Sequence, residues 1–373
     1  MTVREGFKRY AVSLQYRGPP FLGFSWQRTQ EDCILPNGTD LRGRQSVEGR
    51  LREALDKLVG RDGYDKIQVS SRTDRGVHAL KNTCHIDVRT SFPDESGNVL
   101  TPYSRTLFEG LQYYIAKQAS TAVEQGGKGL EVSKRRSIDL KDVLSGKERF
   151  PAVQQFQIKD MRLLNIREAP HFMDNPLYDV QSTIQPNKVR WDARFSATQR
   201  TYLYRILHMC NDTDWAVPFE WNRSWRIRNS IPLDLEAMQR AAKYLTGTHD
   251  FTSFRASGCS RYSPVVTLNQ ICVQSQPYGI AGLSGTFAKE CALFGIPTTI
   301  DPLCLTTISF QGNSFLYRQV RNMVGYLVAV GKGWINCEDT VAVLNARDRT
   351  KAQSTAPAHG LFLVDVKHGD FEI

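Results

Sequence analysis

The segment Ser70–Ala79 holds the densest group of chemically active residue types in the chain. Its two arginines, Arg72 and Arg75, could bind phosphate or insert a planar guanidinium between stacked bases. Asp74 stands between these cations, which favour its ionised form, and an ionised aspartate can act as a nucleophile at an electrophilic carbon. A loop salt bridge with a turn-capping Asp would use the same residue types, which alone do not separate the two interpretations. His78 is interpreted as a residue that orders the loop through a hydrogen bond.

Short strands are expected to hold this segment, since loops between rigid strands commonly carry reactive groups. Alternating apolar residues over 10–16 predict a strand, and the apolar stripe over 46–59 predicts a helix capped by Gly60. Two further strands are predicted at 67–69 and through 84–88. The active residue types would then lie in a tight connection between two strands.

The later part of the chain mixes strands and helices without regular alternation, which favours an α+β fold. Strands are predicted at 201–208, 303–310 and 361–366, and helices at 234–245, 314–330 and 338–346. Tyr202 and Tyr204 share one face of their strand, where core packing explains them as readily as base stacking does. Arg321 stands beside the apolar stripe of its helix, where a charge requires a partner unless it reaches solvent.

Composition sets the protein class. The chain has 373 residues, 41% of them hydrophobic and 23% charged, which indicates a globular protein of about two domains or of one large domain with insertions. The net charge of +10 favours a polyanionic partner such as nucleic acid. No secretory signal and no apolar run near the roughly 20 residues of a membrane span is present. The eight cysteines include no C-x-x-C pair and are predicted to be reduced, mostly buried thiols of an intracellular protein.

Signatures of several enzyme classes are absent from the sequence. It contains no phosphate-binding P-loop, no G-x-S-x-G nucleophile elbow and no H-E-x-x-H zinc helix. These absences argue against nucleotide hydrolysis, serine esterase chemistry and zinc proteolysis.

Residues Arg72–Ala79 resemble the R-T-D-x-G-V-H-A signature of the TruA-type tRNA pseudouridine synthases. The resemblance extends from about residue 10 to residue 366, apart from insertions. It is strong for the animal tRNA pseudouridine synthase-like members, which share Ser70 and Ser71. Further blocks that resemble the family occur in the family's order, at 193–204, 249–255, 313–325 and 355–361.

The resemblance implies a role for five residues. Asp74 matches the catalytic aspartate, and Arg321 matches the arginine that pairs with its carboxylate. Tyr202 matches the active-site tyrosine that stacks on the target base. Arg72 matches the arginine that enters the RNA helix as the uridine flips out, and Leu361 matches an aliphatic wall of the base pocket.

The implied reaction breaks a C–N glycosidic bond of uridine and forms a C–C bond at the same ribose carbon. Nothing is oxidised and no group leaves, so neither a redox cofactor nor a metal is needed. The carboxylate of Asp74 could attack C1′ or C6, or remove a proton from C2′, and the sequence does not separate these routes. The expected substrate is a uridine in the anticodon stem region of tRNA, extruded from its helix.

The resemblance also implies a pseudouridine synthase fold. This fold has two related subdomains with a joined antiparallel sheet, flanking helices and a central basic cleft. Residues 1–115 would form a catalytic-loop subdomain, 116–160 an insertion or linker, and 161–373 the subdomain that completes the site. Two further insertions are predicted at 27–44 and 279–302. A homodimer is plausible by analogy with bacterial members, no membrane is expected as a partner, and mitochondrion, nucleus and cytosol remain open as compartments.

Two alternatives belong to other classes. A non-catalytic RNA-binding protein or RNA chaperone could retain the cleft, although Asp74, Tyr202 and Arg321 are all present. A metal-dependent nuclease would need clustered carboxylates, which the sequence does not show.

Overall fold

A computed structural model describes most of the chain, and its contacts divide the chain into two compact units. The first unit comprises Met1–Thr198 and Leu363–Ile373, and the second comprises Gln199–Phe362. The domain boundaries predicted from the sequence stay predictions. The described residues are 3–25, 46–93, 99–124, 138, 140–151, 160–171, 173–174, 188–209, 220–228, 232–279 and 299–373.

The first unit contains eight strands and three α-helices among its described residues. The strands are β1 (Phe7–Tyr16), β2 (Tyr64–Val69), β3 (His78–Arg89), β4 (Phe92–Pro93), β5 (Val99–Leu100), β6 (Met161–Glu168), β7 (Met173–Asp174) and β8 (Lys188–Val189). The helices are α1 (Val47–Val59), α2 (Ser104–Glu124) and α3 (Leu140–Leu144).

The sheet of the first unit is antiparallel. Strand β1 pairs with β3 on one side and with β6 on the other, so that Val12 lies opposite both Cys84 and Ile166. Strand β2 adds to β3 and places Val69 opposite Cys84. Helix α2 packs against β6 and α1. The connection from β2 to β3 is the segment that carries Asp74.

Helix α1 forms where the apolar stripe predicts it. The Ser46 hydroxyl accepts a hydrogen bond from the Gly49 N–H at 2.9 Å and so caps one of the unpaired donors at the helix start. Leu51 and Leu55 are fully buried on the face that packs inward. Gly60 ends the helix with a φ of 75°, a conformation that glycine adopts without strain.

The second unit contains a mixed sheet. Its strands are β9 (Gln199–Met209), β10 (Trp225–Arg228), β11 (Gly247–Asp250), β12 (Val265–Gly279) and β13 (Thr299–Gly312). Its α-helices are α4 (Leu235–Leu245), α5 (Gln319–Gly331) and α6 (Asp339–Ala346). The sheet order is β11-β12-β13-β9, antiparallel throughout, with β10 parallel to β9. A last strand, β14 (Leu361–Lys367), begins in the second unit and ends in the first.

Helix α5 begins later than the sequence predicts. The predicted start at residue 314 is wrong, since the helix covers Gln319–Gly331. Arg318 adopts a left-handed conformation with a φ of 57°, which an α-helix of L-residues does not continue through. The apolar pattern starts at Leu316 because that residue is buried ahead of the helix.

The combination of strands and helices without regular alternation confirms the mixed α and β character predicted from the sequence. No described helix combines the length and apolarity that a bilayer-spanning segment requires. Of the five described cysteines, Cys84 and Cys337 are buried and the other three are partly exposed, so the expectation of mostly buried thiols is only partly met. The predicted insertion at 27–44, the polar stretch around 126–136 and most of 279–302 lie outside the described residues.

Candidate active site

The loop that carries Asp74 connects β2 to β3, and side-chain hydrogen bonds hold the residues just before the carboxylate. Its Thr73 hydroxyl shares a hydrogen bond of 2.8 Å with the Tyr16 hydroxyl. The Asn82 amide donates both to the Tyr16 hydroxyl at 3.1 Å and to the Ser71 carbonyl at 2.9 Å. Because the three other residues of this network are buried and only Ser71 is partly exposed, the backbone around Asp74 has little freedom.

Exposure alternates along this loop. Arg72 and Arg75 are exposed, Thr73 is buried and Asp74 is half-buried. The chain turns directly after the carboxylate, where the Val77 N–H donates to the Asp74 carbonyl at 3.1 Å. The structure therefore anchors the neighbours of Asp74 and leaves the two guanidinium groups accessible to a ligand.

The segment after β1 packs against the same loop at backbone distance. The Phe24 N–H donates to the Thr73 carbonyl at 3.1 Å. A Cβ atom on Gly18 would lie 2.2 Å from the Gly76 carbonyl oxygen, so only glycine fits at this position. The predicted loop-ordering role of His78 is confirmed, since its Nδ1 atom accepts a hydrogen bond from the Gly18 N–H at 3.2 Å.

In the second unit, Tyr202 and Tyr204 lie on one face of β9, as the strand period predicts. The Tyr202 ring contacts Phe315 edge to face, with ring centroids 5.0 Å apart, and is 6% exposed. Tyr204 is fully buried, and its hydroxyl donates to the Pro357 carbonyl at 2.8 Å. Burial raises the pKa of Tyr204 far above its usual value, and the nearby charge of Arg321 opposes that rise only in part.

Arg321 belongs to the first turn of α5 and is bound to the segment that leads into β14. Its Nε atom donates to the Ala356 carbonyl at 2.8 Å, and the Ala356 N–H donates back to the Arg321 carbonyl at 3.1 Å. The side chain is half-buried, so simple solvation on a helix surface does not describe it. Burial lowers the pKa of His359, and the charge of Arg321 adds to this effect.

Leu361 is the first residue of β14 and is 5% exposed. Gly360 before it packs on the ring of Tyr204 so closely that an added Cβ would lie 2.7 Å from that ring. The second unit thus brings Arg321, Tyr204 and the residues around Leu361 together. Asp74 and Arg72 belong to the first unit, and Tyr202, Arg321 and Leu361 to the second.

A buried polar network beside Arg321 is not among the sequence-based expectations. The Asn322 Oδ1 atom accepts hydrogen bonds from the Thr355 hydroxyl at 2.6 Å and from the Arg349 guanidinium at 3.1 Å. Its amide donates to the Phe254 carbonyl at 2.8 Å. The sequence does carry a signal for this network. Asn322 is a polar residue inside the apolar stripe of α5, and a buried amide requires hydrogen-bond partners.

Asp250 and Arg255, for which no chemistry is predicted, have ordering roles in the structure. Asp250 accepts hydrogen bonds from the N–H and the hydroxyl of Thr252 and forms an ion pair of 3.0 Å with Arg347. Partial burial would raise the pKa of Asp250, but these hydrogen bonds and charges outweigh it and lower the pKa. The guanidinium of Arg255 donates to the carbonyls of Cys259 and Arg261.

Comparisons with known proteins identify the class of protein that carries these sites. A family model described as tRNA pseudouridine synthase matches residues 241–368, which include Arg321 and Leu361 but neither Asp74 nor Tyr202. The chain is 30% identical to human tRNA pseudouridine synthase-like 1, over 97% of this chain and 90% of the human protein. The mouse protein of that name is also 30% identical, over 97% of this chain and 94% of its own.

Bacterial proteins match over nearly their whole length as well. The tRNA pseudouridine synthase A of Caulobacter vibrioides is 29% identical, over 97% of this chain and 99% of the bacterial one. The chain therefore belongs to the TruA-type family of tRNA pseudouridine synthases, which are isomerases.

Proposed function

We propose that the protein isomerises uridine to pseudouridine in tRNA, with the Asp74 carboxylate as the group that reacts with the nucleoside. Membership of the family supports the activity. The observation that carries the residue assignment is the anchored loop, in which Asp74 follows the buried Thr73 within the R-T-D-x-G-V-H-A pattern.

The reaction needs a carboxylate and no further reactant. The bond between N1 of uracil and C1′ of the ribose breaks, and C5 of the same base then bonds to C1′. The proton lost from C5 is balanced by the proton that N1 gains, so the product is an isomer of the substrate. Asp74 could react at C1′, at C6 or with a proton on C2′.

Four other residues would assist the reaction, each in a different way. Arg72 is exposed beside Asp74 and would occupy the space that an extruded uridine leaves in its helix. Tyr202 would stack on the extruded base, a contact worth roughly 1–3 kcal/mol. Arg321 would pair with the Asp74 carboxylate and orient it. Leu361 would form an apolar wall that retains the detached base while it rotates.

The proposal also includes the target site, the arrangement of the units, the oligomeric state and the location. The target uridines would lie in the anticodon stem region. The two units would be related subdomains with a joined sheet and a basic cleft, which the net charge of +10 supports. We also propose self-association as a homodimer and an intracellular location, without choosing among mitochondrion, nucleus and cytosol.

The test is pseudouridine mapping of tRNA treated with the wild-type protein, with Asp74→Asn and with Asp65→Asn. Asp65 is an exposed carboxylate on β2 of the same unit, so its variant is a matched control. We expect pseudouridine from the wild type and from the control, and a loss of at least about 10³-fold in Asp74→Asn, since a reacting group is removed. The tRNA affinity of Asp74→Asn should stay close to that of the wild type.

Two results would contradict the proposal at different points. Equal activity of Asp74→Asn and the wild type would remove the assignment of Asp74 but leave the activity. Tight binding of tRNA by the wild type without pseudouridine formation would instead support the non-catalytic RNA-binding alternative.

A further inference from the structure

A cavity of about 620 Å³ lies within the second unit, in the region where α5 begins. Three arginines line it, Arg255, Arg318 and Arg349, together with the hydroxyl-bearing residues Thr252, Ser257 and Thr355. No Asp or Glu is among the described residues that line it. The lining therefore presents three guanidinium groups and several hydroxyl donors without a facing carboxylate.

The Arg349 guanidinium of the cavity is held by neutral acceptors. Arg349 donates to the Ala352 carbonyl at 2.6 Å, and to the Asn322 amide oxygen and the Thr355 hydroxyl at 3.1 Å each. Burial lowers the pKa of Arg349, as expected for a cation that loses hydration. An anionic ligand would compensate this cost, because it supplies the charge that the neutral acceptors lack.

The other two guanidinium groups of the cavity differ in their surroundings. Arg255 donates to the backbone carbonyls of Cys259 and Arg261, and its charge also acts on Asp250, which is paired with Arg347. These contacts fix the orientation of the Arg255 guanidinium beside the cavity.

Arg318 is exposed and lies over the ring of Tyr317, with its central carbon 4.9 Å from the ring centroid. Tyr317 is 39% exposed, so an aromatic face accompanies the cation at the surface. Helix α5 begins directly after Arg318 without a side-chain cap, and its positive N-terminal end adds to the attraction for an anion. A cation, an aromatic face and a helix start in one place are features that suit a nucleotide.

We propose that this cavity binds a backbone phosphate of the RNA substrate, with Arg318 as its accessible contact. The inference rests on the proposed function for the identity of the RNA as tRNA. The volume falls within the roughly 300–1,000 Å³ of typical ligand pockets, so a nucleotide phosphate and part of its sugar fit. Guanidinium groups suit this ligand because their planar fork binds phosphate oxygens in pairs. The excess of positive charge over the whole chain favours a polymeric anion over a free one.

The experiment measures tRNA affinity as a function of salt for the wild type, Arg318→Gln, Arg318→Lys and Arg240→Gln. Arg240 is an exposed arginine of the same unit on α4 and does not line the cavity, so Arg240→Gln controls for the loss of one charge. Loss of one phosphate contact should reduce the slope of log K against log salt by about 0.7–0.9. We expect this reduction, with affinity weakened about 3- to 10-fold, for Arg318→Gln only. Arg318→Lys should keep the wild-type slope.

Other outcomes overturn the proposal. Equal slopes and affinities for Arg318→Gln and Arg240→Gln would show that the cavity does not contact RNA. A calorimetric titration with inorganic phosphate gives a second arm. Phosphate binding that Arg318→Gln abolishes, with tRNA binding unchanged, would show a site for a free anion instead.

The readouts separate this proposal from the proposed function. A wild-type protein that binds tRNA through Arg318 but forms no pseudouridine would support the phosphate site and defeat the isomerase activity on that tRNA. Normal pseudouridine formation by an Arg318→Gln variant that binds like the control would defeat the phosphate site alone.

Discussion

The backbone N–H groups of Tyr317 and Arg261 and the side chain of Arg255 are donors near the sulfur of Cys259 that favour its thiolate form. Partial burial would raise the pKa of this thiol. The three donors and the charge of Arg255 outweigh that effect, so the pKa lies below its usual value. Cys84 shows the opposite balance, because it is fully buried and burial raises the pKa of its thiol.

We predict that Cys259 reacts faster with iodoacetamide at pH 7 than Cys272 does, since a lowered pKa increases the thiolate fraction. The two cysteines are both partly exposed, which makes Cys272 a fair comparison, and Cys84 should stay unmodified in the folded protein. Peptide mass spectrometry after brief labelling measures each site. Equal labelling of Cys259 and Cys272 would contradict the role given to the three donors.

At the residue scale, the sequence predicts which residue types occur and how close neighbours are ordered. It does not predict hydrogen-bond partners that are distant in the chain. One local pattern singles out both Asp74 and His78, since both belong to the eight neighbouring residues Arg72–Ala79. The partners of Asn322 come from Arg349 and Thr355, which lie 27 and 33 positions away in the chain. No periodicity connects such positions, so the network depends on how the second unit folds.

The elements of the first unit position the Asp74 loop through close backbone contact. Gly18 and Gly23 both face this loop, and a Cβ on Gly23 would lie 2.8 Å from the Thr73 carbonyl oxygen. The end of β1 and the turn after it therefore limit the positions that the loop between β2 and β3 can adopt. A side chain at either glycine has to displace backbone atoms, which cannot yield as a flexible side chain does.

We predict that Gly18→Ala lowers the free energy of unfolding by about 1–3 kcal/mol and reduces pseudouridine formation by the protein that remains folded. Gly6→Ala is the control, because a Cβ there meets nothing within 4 Å although the φ of 76° carries a strain cost of its own. Urea unfolding and tRNA assays on both variants test this. If Gly18→Ala keeps wild-type activity per folded molecule, the close contact at Gly18 does not control the position of Asp74.

Element boundaries follow from the sequence where local signals agree. The start of α1 has a Ser cap and an apolar stripe, and the structure confirms it. The predicted start of α5 is wrong by five residues, because the buried Leu316 extends the apolar pattern to the segment before the helix. Helix α2 is absent from the sequence-based expectations, although its buried residues Leu107, Leu111 and Tyr114 have helical spacing.

At the scale of the whole molecule, buried histidines link stability to pH. His85 is 1% exposed and accepts a hydrogen bond from the Ala193 N–H at its Nδ1 atom, which a protonated ring could not do. Burial lowers the pKa of His85 to about 4, the charge of Arg9 adds to this, and Asp192 and Asp87 oppose it. Burial is also the main cause that lowers the pKa values of His208 and His359 in the second unit.

The sign of the pH effect follows from proton binding. Between pH 6.5 and about 4 the unfolded chain binds a proton at His85 that the folded protein does not. Acid therefore favours unfolding in this window, and stability rises as the pH increases through it. The shift of His85 corresponds to roughly 3 kcal/mol, and His208 and His359 act in the same direction.

We predict that the free energy of unfolding, measured with urea at intervals from pH 7 to pH 4.5, falls steadily as the pH is lowered. His85→Asn is the matched variant, because an amide oxygen can accept the Ala193 N–H but does not titrate. Its stability should depend less steeply on pH than that of the wild type, with a residual slope from the two histidines of the second unit. Parallel curves for the two proteins would show that His85 is not the group that limits stability in acid.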